Sequence, residues 1–134
     1  MSNPSVIAIV DDDASVRVAT ENLLTSLGYA AHTFASAEEF LRSPHFHNTS
    51  CVIADVQMPD MSGIELQALL LAQERRMPFI FITAFPDKTV RTKALKAGAI
   101  CLLTKPFDKL TLIKYLDIAR RDTEPENDVP RRKS

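Results

Sequence analysis

Five short runs of apolar residues, none with polar alternation, punctuate the chain: Val6–Val10, Tyr29–Phe34 (the weakest), Cys51–Asp55, Phe79–Thr83 and Ile100–Thr104. Runs of this length and composition predict strands buried on both faces. Between them apolar residues recur at helical spacing. Val16, Ala19, Leu23 and Leu27 mark a helix stopped by Gly28. Ser36 and Glu39 form a capping box that opens a short helix through Leu41, closed by Pro44. Ile64, Leu66, Leu69, Leu70 and Gln73 trace a third helix that ends near Arg75-Arg76. Pro86-Asp87 begins a fourth, carrying Val90, Ala94, Leu95 and Ala97 and ended by Gly98. Asp108 caps a fifth, with Leu112, Ile113, Leu116 and Ala119 on one side. His45 to Asn48 reads as a polar loop.

Strand and helix thus alternate five times, which implies a parallel sheet with helices on both faces. Right-handed crossovers leave few windings, and the α/β fold expected is a doubly wound (βα)5 sheet in the flavodoxin-like order 2-1-3-4-5. At 134 residues this is one domain, read as residues 1–121. The charged stretch 122–134, with two prolines, is read as a flexible tail or a truncated linker.

Composition narrows the function. A net charge of -1 argues against nucleic-acid contact by this domain, since such affinity rests on a basic surface. No apolar run approaches the ~20 residues of a membrane span, and the first residues lack a secretory pattern, so a cytoplasmic protein is expected. Cys51 and Cys101 fall inside apolar runs and read as small buried hydrophobes. His45 and His47 lack a third ligand for a metal.

The strand ends carry the chemistry. Asp11-Asp12, Asp55, Thr83 and Lys105 stand at the carboxyl ends of the first, third, fourth and fifth strands, where ligands bind in open α/β sheets. Asp13 reads as a helix cap. In the expected winding the five side chains converge. Three clustered carboxylates repel unless a cation intervenes, and an all-oxygen set selects a hard divalent ion, Mg²⁺. The set suits a carboxylate nucleophile attacking phosphorus, with the lysine and the threonine holding phosphoryl oxygens. Its product is an aspartyl phosphate.

These residues lie in VDDD at 10–13, DVQMPDMSGIEL at 55–66, FITA at 81–84 and KAGAICLLTKPF at 96–107. Through them the chain, from Val6 to about Arg121, resembles the response-regulator receiver domains of two-component signalling, and most of all those attached to helix-turn-helix regulators. The resemblance implies a phosphoacceptor rather than an enzyme, one that catalyses its own phosphoryl transfer and autodephosphorylation. Asp55 is then the phosphoacceptor and Asp12 a direct Mg²⁺ ligand, with Asp11 acting mainly through water. The main-chain carbonyl of Gln57 supplies a further metal contact. Thr83 and Lys105 bind the phosphoryl group, and Lys105-Pro106 is a cis peptide. The implied partner is a sensor histidine kinase. A homodimer is expected through helix 87–97, strand 100–104 and helix 108–121.

One position departs from the family. Leu102 stands where an aromatic residue is usual, three before the lysine, so the switch pair is Thr83 and Leu102. Two other readings compete. An aspartyl-nucleophile phosphatase wants a second acid two residues after Asp55, where this chain has Gln57. A degenerate receiver would serve only as a protein-binding module.

Overall fold

Each apolar run becomes a strand, in a computed structural model that describes residues 6–123. The strands are β1 (Val6–Val10), β2 (Ala30–Phe34), β3 (Thr49–Asp55), β4 (Phe79–Thr83) and β5 (Cys101–Thr104). They pair in parallel in the order β2-β1-β3-β4-β5. The helices are α1 (Ala14–Ser26), α2 (Ala37–Leu41), α3 (Gly63–Ala72), α4 (Lys88–Lys96) and α5 (Lys109–Thr123).

The two-residue period of the strands divides the core. Ala8, Val10, Val52, Ala54, Phe79 and Phe81 face one side, where Phe40 of α2, Leu66 and Leu70 of α3 and Ala94 of α4 cover them. Ile7, Ile9, Cys51, Ile53, Ile80, Ile82 and Cys101 face the other, under Leu24 of α1 and Leu112 and Leu116 of α5. Both sides of the sheet are therefore dry, and neither cysteine is bonded to another. Burial pushes the Cys51 thiol up to about 12.

Several boundaries differ from the sequence reading. β3 starts two residues earlier, at Thr49. Phe46–Asn48 is a 3-10 turn rather than a loop, because Phe46 is buried and packs on the Phe40 ring, with centroids 5.2 Å apart. α3 stops at Ala72, short of Arg75-Arg76. Its chain leaves through Glu74 in the left-handed region, at φ 60°, with the Arg75 N–H bonded to the Leu70 carbonyl at 2.8 Å. α4 ends in the same turn, but there Gly98 takes the left-handed position and Ala99 bonds back to Ala94. The last helix runs to Thr123, two residues into the stretch 122–134 read as a tail; the rest of that stretch, 124–134, lies outside the described residues, as does the amino-terminal stretch 1–5. Among the described residues no helix is long and apolar enough to cross a membrane.

Register brings the site together. Val10 is level with Ala54, Asp55 with Ile82, and Thr83 with Thr104. The residues just past these pairs emerge side by side along one rim.

Candidate functional site

The three consecutive acids after β1 have three different fates. The Asp11 N–H extends the sheet by bonding the Phe34 carbonyl at 3.1 Å, which turns the Asp11 side chain inward, where it is buried. Its Oδ1 accepts the Asp13 N–H at 2.9 Å. Asp12 remains exposed. Asp13 caps α1, accepting from the Ser15 N–H and hydroxyl at 2.9 and 2.7 Å. Those hydrogen bonds, the hydroxyl's first, hold its carboxyl below the usual carboxylate range.

Asp55 ends β3 and is buried. Its Oδ1 accepts the Gln57 N–H at 2.9 Å and its Oδ2 accepts from Lys105 Nζ at 2.9 Å. The loop that follows is anchored at both ends, by Val56 N–H to the Ile82 carbonyl and by Gly63 N–H to the Val56 carbonyl. α3 then opens on a full capping box between Ser62 and Glu65. Gly63 is required by space, since a Cβ built there runs into the Asp55 carbonyl oxygen and comes within 3.0 Å of the Phe81 ring.

Lys105 closes the cluster. Its N–H bonds the Thr83 carbonyl at 2.8 Å, its peptide to Pro106 is cis, and its ammonium lies 3.2 Å from Asp11 Oδ2 as well as 2.9 Å from Asp55. One oxygen from each of Asp11, Asp12 and Asp55 lies within 4.8 Å of the others. A single ammonium thus pairs with two of the three clustered carboxylates, Asp11 and Asp55. Burial raises the Asp11 carboxyl above its ordinary value, a backbone hydrogen bond from Asp13 opposes that, and the Asp55 charge adds to it. Burial alone would lower Lys105, yet the two carboxylates outweigh it and hold the ammonium above its ordinary value.

Asp11 Oδ2 is buried with no hydrogen-bond partner among the described residues, its close contact being the ion pair with Lys105. A buried carboxylate oxygen left in that condition beside two other acids fits a hard cation, whose ligands are oxygens. The donor set therefore can hold a divalent metal.

Asp11, Asp12, Asp55 and Lys105 come together. Gln57 enters the cluster through its N–H. Thr83 is buried at the end of β4, but its hydroxyl turns into its own loop, accepting the Phe85 N–H at 3.1 Å and donating to the Phe85 carbonyl at 3.3 Å. Leu102 is buried in the core on the α3 and α4 side, and its carbonyl accepts Arg91 Nη1 at 3.3 Å. His45 stacks on His32 at 3.8 Å, while His47 contacts Arg75 at 2.9 Å, so the two loop histidines face different partners. Arg17 escaped the sequence reading: its Nη1 donates to the Asp11 carbonyl at 2.6 Å. Its one signal is a cation placed one turn into a helix that starts from an acidic loop. A groove of about 780 Å³ opens beside Lys105, lined by Ser15, Ala19 and Leu23 of α1 and by Pro106 and Phe107.

Known proteins resemble this chain in sequence and fold. The profile described as Response regulator receiver domain matches residues 7–117. The response regulator protein TodT of Pseudomonas putida is 40% identical over 109 residues, covering 81% of this chain and 48% of that protein. The transcriptional regulatory protein FixJ of Bradyrhizobium diazoefficiens is 34% identical over 125 residues, covering 93% of this chain and 61% of that one. The chain spans about half the length of the curated relatives it matches. Among solved structures, the response regulator StyR superposes with a TM-score of 0.84 at 39% identity, over 90% of this chain and 61% of that one. FixJ-N does so at 0.81 and 32%, over 94% and 100%. Fold, matched span and shared identity agree, and the chain belongs to the response regulator receiver domains of two-component signalling.

Proposed function

We propose that this domain receives a phosphoryl group on Asp55 from a sensor histidine kinase, in a reaction that depends on Mg²⁺, and that the resulting shift in conformation controls an output partner or domain. The observation that carries the reading is the Lys105 ammonium, seated between Asp55 Oδ2 and Asp11 Oδ2 at 2.9 and 3.2 Å. It keeps an otherwise repulsive acid cluster together and stands where a phosphoryl oxygen must be met.

Asp12, Asp11, Asp55 and the Gln57 carbonyl are the groups that would hold Mg²⁺, which supplies charge neutralisation to phosphoryl oxygens when bound. Asp55 is the nucleophile: a carboxylate oxygen forms the new O–P bond as the donor's bond to phosphorus breaks. Lys105 then exchanges its Asp55 contact for a phosphoryl oxygen. Thr83 does likewise after its hydroxyl leaves Phe85. Hydrolysis at phosphorus later returns Asp55 to its carboxylate, so the domain turns over its own modification and no other substrate. Receiver domains of response regulators interact with histidine kinases, and the groove between α1 and Phe107 is the place beside Lys105 open to such a partner. The face made by α4, β5 and α5 is the proposed dimer contact.

The test is incubation with acetyl phosphate and Mg²⁺, read by intact mass. Wild type gains one phosphoryl group, and Asp55→Asn gains none. Equal labelling of the two proteins, or continuous release of inorganic phosphate from an organic ester, would overturn the assignment.

A further inference from the structure

Asp12 is the exposed acid of the cluster, and among the described residues no hydrogen bond or ion pair reaches its carboxylate. Its direction is therefore set by the two peptides that flank it. The later one is held by its N–H, which Asp13 donates to Asp11 Oδ1 at 2.9 Å. The earlier one is held by its carbonyl, which accepts Arg17 Nη1 at 2.6 Å. The first hold comes from a carboxylate inside the cluster, whose own bonding changes when a cation arrives. The second comes from α1, outside the cluster, on a helix fixed by its Asp13 cap and by buried Leu24.

We infer that Arg17 is a positioning residue: by pinning the Asp11 carbonyl it fixes the peptide plane from which Asp12 projects, and so sets the affinity of the site for Mg²⁺. The inference rests on the reading of Asp11, Asp12 and Asp55 as the metal-holding groups. Its sign is diagnostic. A guanidinium beside an acid cluster repels an incoming cation, so if Arg17 were merely a nearby charge its removal would tighten Mg²⁺ binding. If Arg17 positions Asp12, its removal weakens binding, because the ligand loses its direction.

Mg²⁺ titration of the ¹⁵N-labelled protein, followed at the Asp12 and Asp13 amides without any phosphodonor, separates the two. Arg17→Met keeps the apolar stem and deletes the donors. Arg17→Lys keeps the charge and loses the planar fork. Half-saturation should rise about threefold in Arg17→Lys and about tenfold in Arg17→Met, the range expected when a charge-assisted hydrogen bond is lost. Phosphorylation by acetyl phosphate gives a second readout: the Mg²⁺ requirement moves by the same factors while the rate at saturating Mg²⁺ stays within about twofold. A role in folding alone would lower thermal stability and leave both half-saturations where they were. Unchanged or tighter binding in Arg17→Met overturns the inference, and Arg17→Lys decides the matter if the methionine variant does not fold. Absence of any saturable shift in wild type would instead sink the metal reading itself.

Discussion

Glu74 shows what a single backbone angle costs. It follows α3 with φ at 60°, and the Arg75 N–H closes the turn onto Leu70 at 2.8 Å, so the chain has no freedom to relax there. An L-residue in that region is disfavoured by Cβ sterics, by ~1–2 kcal/mol where no glycine is used. Glu74→Gly removes the clash but loosens the unfolded chain, and the net gain expected is about 1 kcal/mol, seen as a higher urea midpoint with an unchanged slope. A lower midpoint would show that the glutamate does something for the turn beyond filling it. Gly63 makes the opposite case. In the sequence it is one residue of the 55–66 motif, yet its need is for room beside the Asp55 carbonyl and Phe81. Composition reveals that a glycine is present, but the crowding that demands it comes first from the Asp55 backbone at the end of β3 and then from the Phe81 ring of β4, and it exists only once the chain has folded back on itself.

At the scale of elements, the run of strands and helices was legible because the apolar runs are short and the capping residues clear. Its exceptions have identifiable causes. Phe46 is one buried ring in a polar tetrapeptide, and no period shows in a single residue. By charge Arg75 and Arg76 suit the terminus of α3, whereas the actual stop is geometric, set by the turn at Glu74. Arg75 instead lies over the Phe46 ring, 4.7 Å from its centroid. α4 is the lightly held element. Ala94 is its one buried residue, and two side chains tie it to its neighbours, Gln67 Nε2 to the Ala94 carbonyl and Arg91 Nη1 to the Leu102 carbonyl, both at 3.3 Å. Thr83 at the other end of this loop is held by its two hydrogen bonds to Phe85, whereas Leu102 is 4% exposed, has no hydroxyl and is packed on several sides. Structures with and without beryllofluoride should therefore show the segment from Thr83 to Phe85 moving further than the Leu102 side chain. A large rotamer change at Leu102 with a still Thr83 loop would count against that order of events.

For the molecule as a whole, the convergence of acids and lysine was readable from strand ends and winding alone, because a parallel sheet delivers its carboxyl ends to one rim. What no pattern predicted is the resting state of the polar side chains: the Thr83 hydroxyl turned to Phe85, and Arg17 turned to the Asp11 carbonyl. Such choices depend on which groups lie nearest after folding. The stacked histidines are another product of packing, and they give stability a pH dependence. Burial and the neighbouring His45 hold His32 below its ordinary value, with Glu21 pulling the other way. The unfolded chain then takes up the proton first. The contribution is fully present above the free-imidazole value of about 6.5 and is lost as pH falls through the lower folded value. Since His45 is exposed, the effect is under ~1 kcal/mol. His45→Gln should flatten the fall in urea midpoint between neutral and mildly acidic pH, and parallel profiles for the two proteins would refute it.

The site also has a timing. Asp55 and its lysine are 50 residues apart in the chain, and the lysine follows the edge strand, β5, the last of the five. During synthesis the three acids leave the ribosome well before their counter-charge, so a nascent domain with β1 and β3 already paired carries an uncompensated negative knot. The ammonium that pairs with Asp11 and Asp55 arrives only after β5. A chain stopped short of Lys105 is thus left without its chemistry and with Asp11 and Asp55 facing each other unpaired.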